Sequence, residues 1–175
     1  MALLRTATLT DANCISRVQV ETWRTTYRGI VPDAYLAGLN TEQRALRWRE
    51  RLSTAEHILV AELNGEVVGF VSGGAIREPL EGYDAEIHAI YLLVRSQRTG
   101  IGTDLIIELA RRLDEAGFKS MVVWLFEANT AARFYEKSGA VRIGVKEREI
   151  GGVRLPLLAY GWPNIKSISA CRRDK

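Results

Sequence analysis

The segment Gln97-Arg98-Thr99-Gly100-Ile101-Gly102 sets two glycines between a run that reads as a buried strand, Ile87 to Val94, and one that reads as a helix, in which Leu105, Ile106, Leu109 and Leu113 recur at helical spacing. A glycine-bearing turn between strand and helix aims several free backbone N–H groups at one point. The helix dipole adds partial positive charge there, so the turn suits a phosphate or pyrophosphate. Two familiar owners are excluded. A P-loop needs G-x-x-x-x-G-K-[ST], and no such string is present. A dinucleotide fingerprint needs a third glycine where Leu105 stands, and belongs to a first βα unit rather than to a loop this deep in the chain. On the loop alone, a phosphate cradle and an ordinary strand-to-helix turn both stay open.

Other chemistries find little support. His57 and His88 each fall in a predicted strand and make no known metal-ligand spacing, so no metal is expected. Cys14 lies in the first helical stretch and reads as a small core hydrophobe, and Cys171 sits near the C-terminus; two reduced thiols are expected, not a disulfide framework. The isoelectric point near 9.0 comes from Lys166, Arg172, Arg173 and Lys175, opposed only by Asp174. Up to Pro163 the charges balance, which argues against a nucleic-acid-binding face. No apolar run is long enough to span a bilayer, and Met1 to Thr6 turns polar too early for a signal peptide, so a cytoplasmic protein without membrane contact is expected.

The elements that must position the loop can be read in order. Leu3 to Leu9 alternates as a first strand, and Thr10 or Asp11 caps a helix through about Tyr27, with Ile15, Val18 and Thr22 along one side. Asp33 to Leu39 is a short helical segment, and Asn40-Thr41 opens a helix carrying Ala45, Trp48 and Leu52. His57 to Leu63 and Glu66 to Gly74 form a hairpin across Asn64-Gly65. A polar loop, Arg77 to Tyr83, precedes the long strand Asp84 to Val94. The helix after the glycine loop ends at Gly117. Ser120 to Phe126, a short helix from Asn129 to Ser138, Ala140 to Ile150 and, across Gly151-Gly152, Val153 to Tyr160 complete the chain. This order gives an α/β (mixed α+β) class: a central, mostly antiparallel sheet of about seven strands with helices on both faces. Residues 1–163 are expected to be one domain and 164–175 a basic, flexible tail.

The same order resembles the GCN5-related N-acetyltransferase (GNAT) superfamily from Leu3 to about Tyr160. Four features carry the resemblance: the strand with Glu86, the Q-x-x-G-x-G loop at Gln97 to Gly102, the strand end Glu127-Ala128-Asn129, and Ala132-Arg133-Phe134-Tyr135-Glu136-Lys137-Ser138-Gly139, which is similar to the family's F-Y-E-K-x-G signature. The stretch from Trp23 to Pro32 also resembles a broad bacterial branch of that family.

The resemblance implies acetyl transfer from acetyl-CoA, as co-substrate, to an amine. Glu86, eleven residues before Gln97, matches the general base of the histone-acetylating members. Tyr135 matches the general acid for the departing thiolate. The backbone of Leu92, with Leu93, would contact the acetyl and pantetheine portions, and Gln97, Arg98, Thr99, Gly100, Ile101, Gly102 and Thr103 would hold the pyrophosphate. Asn129 lies six residues before Tyr135 where the family commonly spaces seven, so its reading stays divided between a pantetheine contact and a helix cap. Val94 stands where proline is usual. Neither cysteine falls near this centre, so direct attack in a ternary complex is expected over an acetyl-cysteine.

Strand alternation places Glu86 and His88 on one face and Ile87 and Ala89 on the other. His88 is then a candidate relay. Trp23 and Tyr27, four apart, share a helical face and form a candidate aromatic wall for the acceptor, with Glu81, Tyr83 and Asp84 opposite. The neutral body and these acidic residues favour a small cationic amine. A protein N-terminal or lysine acetyltransferase, or a silent acyl-CoA-binding sensor, are the alternatives, and the terminal strands admit a homodimer.

Overall fold

The computed structural model describes residues 2–54 and 56–172, with side chains through 168. Seven strands, β1 (Leu3–Thr6), β2 (His57–Leu63), β3 (Glu66–Leu80), β4 (Tyr83–Leu92), β5 (Met121–Phe126), β6 (Val141–Ile150) and β7 (Val153–Trp162), form one sheet in the order β1-β2-β3-β4-β5-β7-β6. Every pairing is antiparallel except β4 with β5. The helices are α1 (Ala12–Thr26), α2 (Asp33–Ala37), α3 (Thr41–Leu52), α4 (Ile101–Glu115) and α5 (Ala132–Lys137).

Both faces of the sheet are covered, as β3 shows residue by residue. Phe70 meets Trp48 of α3 edge-on at 5.0 Å, and Ser72 takes a hydrogen bond from Arg51 of α3. Gly73, on the opposite face, lies against Leu109 of α4. Leu105, Ile106, Leu109 and Leu113 of α4 are all buried. Each fully buried aliphatic side chain is worth about 1.5–3 kcal/mol, so this stripe fixes the helix, and the loop before it, onto the sheet.

Several elements differ from their sequence reading. The first strand stops at Thr6, because Thr8 and Asp11 form a capping box: the Thr8 amide donates to Asp11 Oδ2 at 2.7 Å, and a 3₁₀ turn at Leu9–Asp11 leads into α1. Arg5 then grips Asp11 with two bonds of 2.8 Å. The Arg77–Tyr83 segment is not a loop. β3 continues through it to Leu80 and turns at Glu81-Gly82 straight into β4, because charged residues on an arm projecting past the sheet remain solvated while their backbone stays extended. The segment after Pro163 does not begin as a flexible tail. Ile165 and Ile168 are buried, the Ile165 amide donates to Lys119 O at 2.8 Å, and Ile165–Arg172 is 3₁₀-helical beside α4. Two isoleucines outweigh the basic composition there.

Candidate active site

β4 and β5 are paired only at Ala85–Ile87 with Met121–Val123, and beyond that the two parallel strands diverge. The opening leaves the β5-facing backbone groups of β4 without a ladder partner. The Leu93 amide donates to Val68 O of β3 at 2.9 Å, so the preceding Leu92 amide points the other way, into the opening. Of the two amides expected at this point, the Leu93 N–H is thus engaged with β3. Leu92 O is held by Thr22 Oγ1 at 3.2 Å and Gln97 Nε2 at 3.1 Å. The Gln97 side chain thus pins the glycine loop to the strand end.

In the loop itself, Arg98 (φ 60°) and Gly100 (φ 91°) are both left-handed, and no side chain caps α4. Alternating backbone handedness fans successive amides toward one side, and the N–H groups of Ile101, Gly102 and Thr103 have no intrahelical acceptor. Thr99 Oγ1 donates back to Ser96 O at 2.7 Å and stiffens the turn. Gly102 faces the Phe134 ring, where an added Cβ would sit 3.4 Å from Cζ, so α4 starts directly beside α5. These residues fit an acyl-CoA pyrophosphate by free donors and by the absence of a competing cap.

A cavity of about 370 Å³ opens on the α1/α3 face of the sheet beside the divergence. Trp23 and Tyr27 line it, as their helical spacing predicts, with ring centroids 4.8 Å apart in a T-shaped pair. Phe126 packs against Tyr27 at 5.1 Å, and Tyr91 and Trp124 complete an aromatic wall. Glu86 is 9% exposed and lines the same cavity; its Oε2 accepts the Arg77 amide at 3.1 Å, and the Arg77 guanidinium lies 3.7 Å from Oε1. Glu86 is therefore not a strand-start carboxylate facing water.

Tyr91 was not legible in the sequence. β4 carries a one-residue irregularity: Ile87 pairs with Gly73 and Ala89 with Ser72, leaving His88 extra. The bulge reverses the alternation beyond it, so Ala89 and Tyr91, not residue 90, share Glu86's face. His88 lines the cavity, but both ring nitrogens are engaged, Nδ1 with the Glu56 carboxylate and Nε2 with Ala75 O at 3.1 Å. It clamps the β3 arm and is not a free relay. Burial alone would raise the Glu56 carboxyl; hydrogen bonds from His88 and Arg51 override it and hold it at about 2.

Tyr135 is 6% exposed, packed edge-on against Phe134 at 5.2 Å and Trp162 at 6.1 Å. Burial, reinforced by nearby Tyr91, pushes its phenol above the ordinary range, so it carries its proton at neutral pH. Asn129 closes a local turn: its Oδ1 accepts the Ala131 amide at 2.9 Å, ahead of α5, which leaves its amide nitrogen without a protein partner among the described residues. Tyr83 does not reach the cavity. Its ring lies over Gly161 of β7, so closely that a Cβ there would be 2.5 Å away. Asp84 is equally remote, accepting the Lys119 and Ser120 amides at 2.8 and 2.9 Å, and Glu81 is exposed at the arm's turn. Besides Glu86, the charges that do line the cavity are Arg77 and Glu78 from the arm and Lys146, Glu147 and Arg148 from β6. In the sequence, β6 shows only alternating charges, which read as an ordinary solvated strand. Among the described residues no group of three or more His, Cys, Asp or Glu side chains could hold a metal, and Cys14 is a free thiol packed beside the core.

The acetyltransferase (GNAT) family model matches residues 20–140. An uncharacterized N-acetyltransferase of Bacillus subtilis (strain 168), YuaI, is 40% identical over 169 residues, covering 96% of each chain. Among solved structures, an N-acetyltransferase from Staphylococcus aureus Mu50 superposes with a TM-score of 0.74 at 22% identity, over 94% of this chain and 99% of that one. The yncA protein of Salmonella typhimurium, solved with its cofactor acetyl-CoA, gives 0.71 at 21% identity over 93% of each. The splayed parallel strands, the uncapped glycine loop and these similarities converge, and the chain belongs to the acetyltransferase (GNAT) family.

Proposed function

We propose that this chain moves the acetyl group of acetyl-CoA to the primary amine of a small molecule, by direct attack while both are bound. The observation that carries the reading is Glu86: a nearly buried carboxylate opening into an aromatic-walled cavity, on the strand whose far end leads into the glycine loop. The bound acetyl-CoA of the yncA structure supports the donor.

An alkylamine with its usual pKa of about 10.4 is neutral in only roughly one molecule in 2,500 at pH 7. Glu86 takes the proton that the amine must lose, directly or through water, as its nitrogen attacks the acetyl carbon. The Leu92 N–H polarises the acetyl carbonyl and holds the charge that develops on its oxygen. As the C–N bond forms and the C–S bond breaks, the Tyr135 hydroxyl gives its proton to the leaving sulfur. Burial holds the proton on this phenol at rest, and the same surroundings disfavour a free thiolate, which favours its protonation as the C–S bond breaks. The amides of Arg98 to Thr103 take the pyrophosphate, and the Asn129 side-chain nitrogen is directed to the pantetheine arm.

A small acceptor is favoured because the β3 arm is bridged to β6 over the cavity by Lys146 and Glu78, 2.7 Å apart. Thiol release from acetyl-CoA across a panel of small amines and of peptides tests the reading. Turnover on small amines is expected. Peptides as the better substrates would move the assignment to a protein acetyltransferase, and tight CoA binding with no turnover on any amine would leave a sensor.

A further inference from the structure

The cavity holds more hydrogen-bond donors than the protein satisfies. Lys146 is committed to Glu78 and lies 4.2 Å over the Trp124 ring. Arg77 is committed to Glu86. Arg148 lines the cavity from the same face of β6 as Lys146, two residues along, and makes no ion pair with any described residue. Glu147 between them also lines the cavity, and its carboxylate stands 4.0 Å from the Arg154 guanidinium. Across the cavity, the Trp23 Nε1–H is buried without a hydrogen-bond partner. The Tyr91 hydroxyl feels the dipole of that N–H but lies outside bonding geometry. A buried donor left unpaired is costly, and a ligand's acceptor would recover that cost.

We propose that the acceptor is an amino acid: a primary amine presented to Glu86, and a carboxylate held by the Arg148 guanidinium and the Trp23 indole N–H. This rests on the acetyl-transfer reading and narrows it from a cationic amine to a zwitterion. A guanidinium offers a planar fork matched to a carboxylate, and a desolvated indole N–H adds a directional third bond. A purely cationic amine would leave both donors unpaired and set its charge beside Arg77 and Arg148.

The test is thiol release with free amino acids, each matched against the amine lacking its carboxylate and against its primary amide, at saturating acetyl-CoA. For the best amino acid, kcat/KM is expected at least tenfold above that of both counterparts. Arg148→Gln narrows that ratio about tenfold by raising KM for the amino acid. Trp23→Phe, which keeps a ring and deletes the N–H, narrows it severalfold in the same way. Decarboxylated amines reacting as well as or better than their amino acids would overturn the proposal and leave acetyl transfer standing. So would an Arg148→Gln loss that is equal for acid and amine. Absence of turnover on every amine would overturn both readings together. Circular dichroism and CoA binding, retained in each variant, separate these results from misfolding.

Discussion

The Glu56 carboxylate and His88 Nδ1 share a hydrogen bond across 32 positions of sequence, and Arg51 of α3 donates to the same carboxylate. The pair ties the segment before β2 to the bulge of β4, one residue beyond Ile87. The bulge that turns Tyr91 into the cavity is therefore buttressed from α3.

That buttress gives an acid-stability signature. The Glu56 carboxyl lies at about 2 in the fold against an ordinary value near 4.5. A depressed folded pKa contributes stability in full above the unfolded value, and that contribution is lost as pH falls through the window from about 4.5 to 2. Glu56→Gln is expected to lower stability by about 1–3 kcal/mol at pH 7, since it leaves two partly buried donors poorly paired. Urea midpoints of the two proteins should converge between pH 4.5 and 2. A constant gap across that range would mean that the carboxylate's charge does not matter.

Replacing Glu86, the proposed base, should show its chemistry in a pH profile. Glu86→Gln is expected to lower kcat/KM by about 10²–10⁴ at pH 7, with the deficit shrinking as pH approaches the amine's pKa, because free neutral amine becomes plentiful. Steady-state rates between pH 6.5 and 9.5 would check it. A pH-independent deficit would point to a positioning role.

Tyr135→Phe keeps the ring packed against Phe134 and Trp162 and deletes only the hydroxyl, the proposed proton donor. The expected result is a fall in kcat of about 10²-fold or more, little change in thermal midpoint, and a smaller loss with a thioester whose thiol is more acidic. Because burial holds the phenol above its ordinary range, its ionisation should not set the basic limb of the wild-type profile below pH 10.

Two adjacent glycines of β3 should behave oppositely. At Gly73 an added Cβ would lie 2.9 Å from Glu86 O and 2.9 Å from Leu109 Cδ2, and the carbonyl is fixed in the β3–β4 ladder. Gly73→Ala is expected to cost about 1–3 kcal/mol and to lower activity by displacing Glu86. At Gly74 the added Cβ would meet only His88 Cε1, at 3.6 Å, so Gly74→Ala should leave the unfolding midpoint nearly unchanged. Equal thermal shifts in the two variants would contradict this packing.

The donor side of this protein is written locally. The apolar spacing of Leu105, Ile106, Leu109 and Leu113, the Gly100 turn that only a residue tolerant of φ 91° adopts without strain, and the strand before it suffice to specify a strand–loop–helix cradle from contiguous residues. Trp23 and Tyr27 were legible as a pair for the same reason, because helical spacing is a property of neighbours. The acceptor side was not. Strict alternation puts Ala89 on the wrong face of β4 and gives no sign of Tyr91 in the cavity, since a bulge depends on what the partner strand and α3 require. Tyr83 and Asp84 read as cavity residues only if the segment before them is a loop; with β3 extended to Leu80, they lie at the far end of the sheet. Arg148 and Lys146 are surface charges on a strand until β6 packs beside β7 and brings them over the Tyr91 cavity. The order of strands and helices and the glycine-bearing turn before α4 could be read from the chain alone, because their physics is confined to a few adjacent peptides. Which charges meet across the cavity follows from strand register and a bulge, and both are set by contacts between residues far apart along the chain.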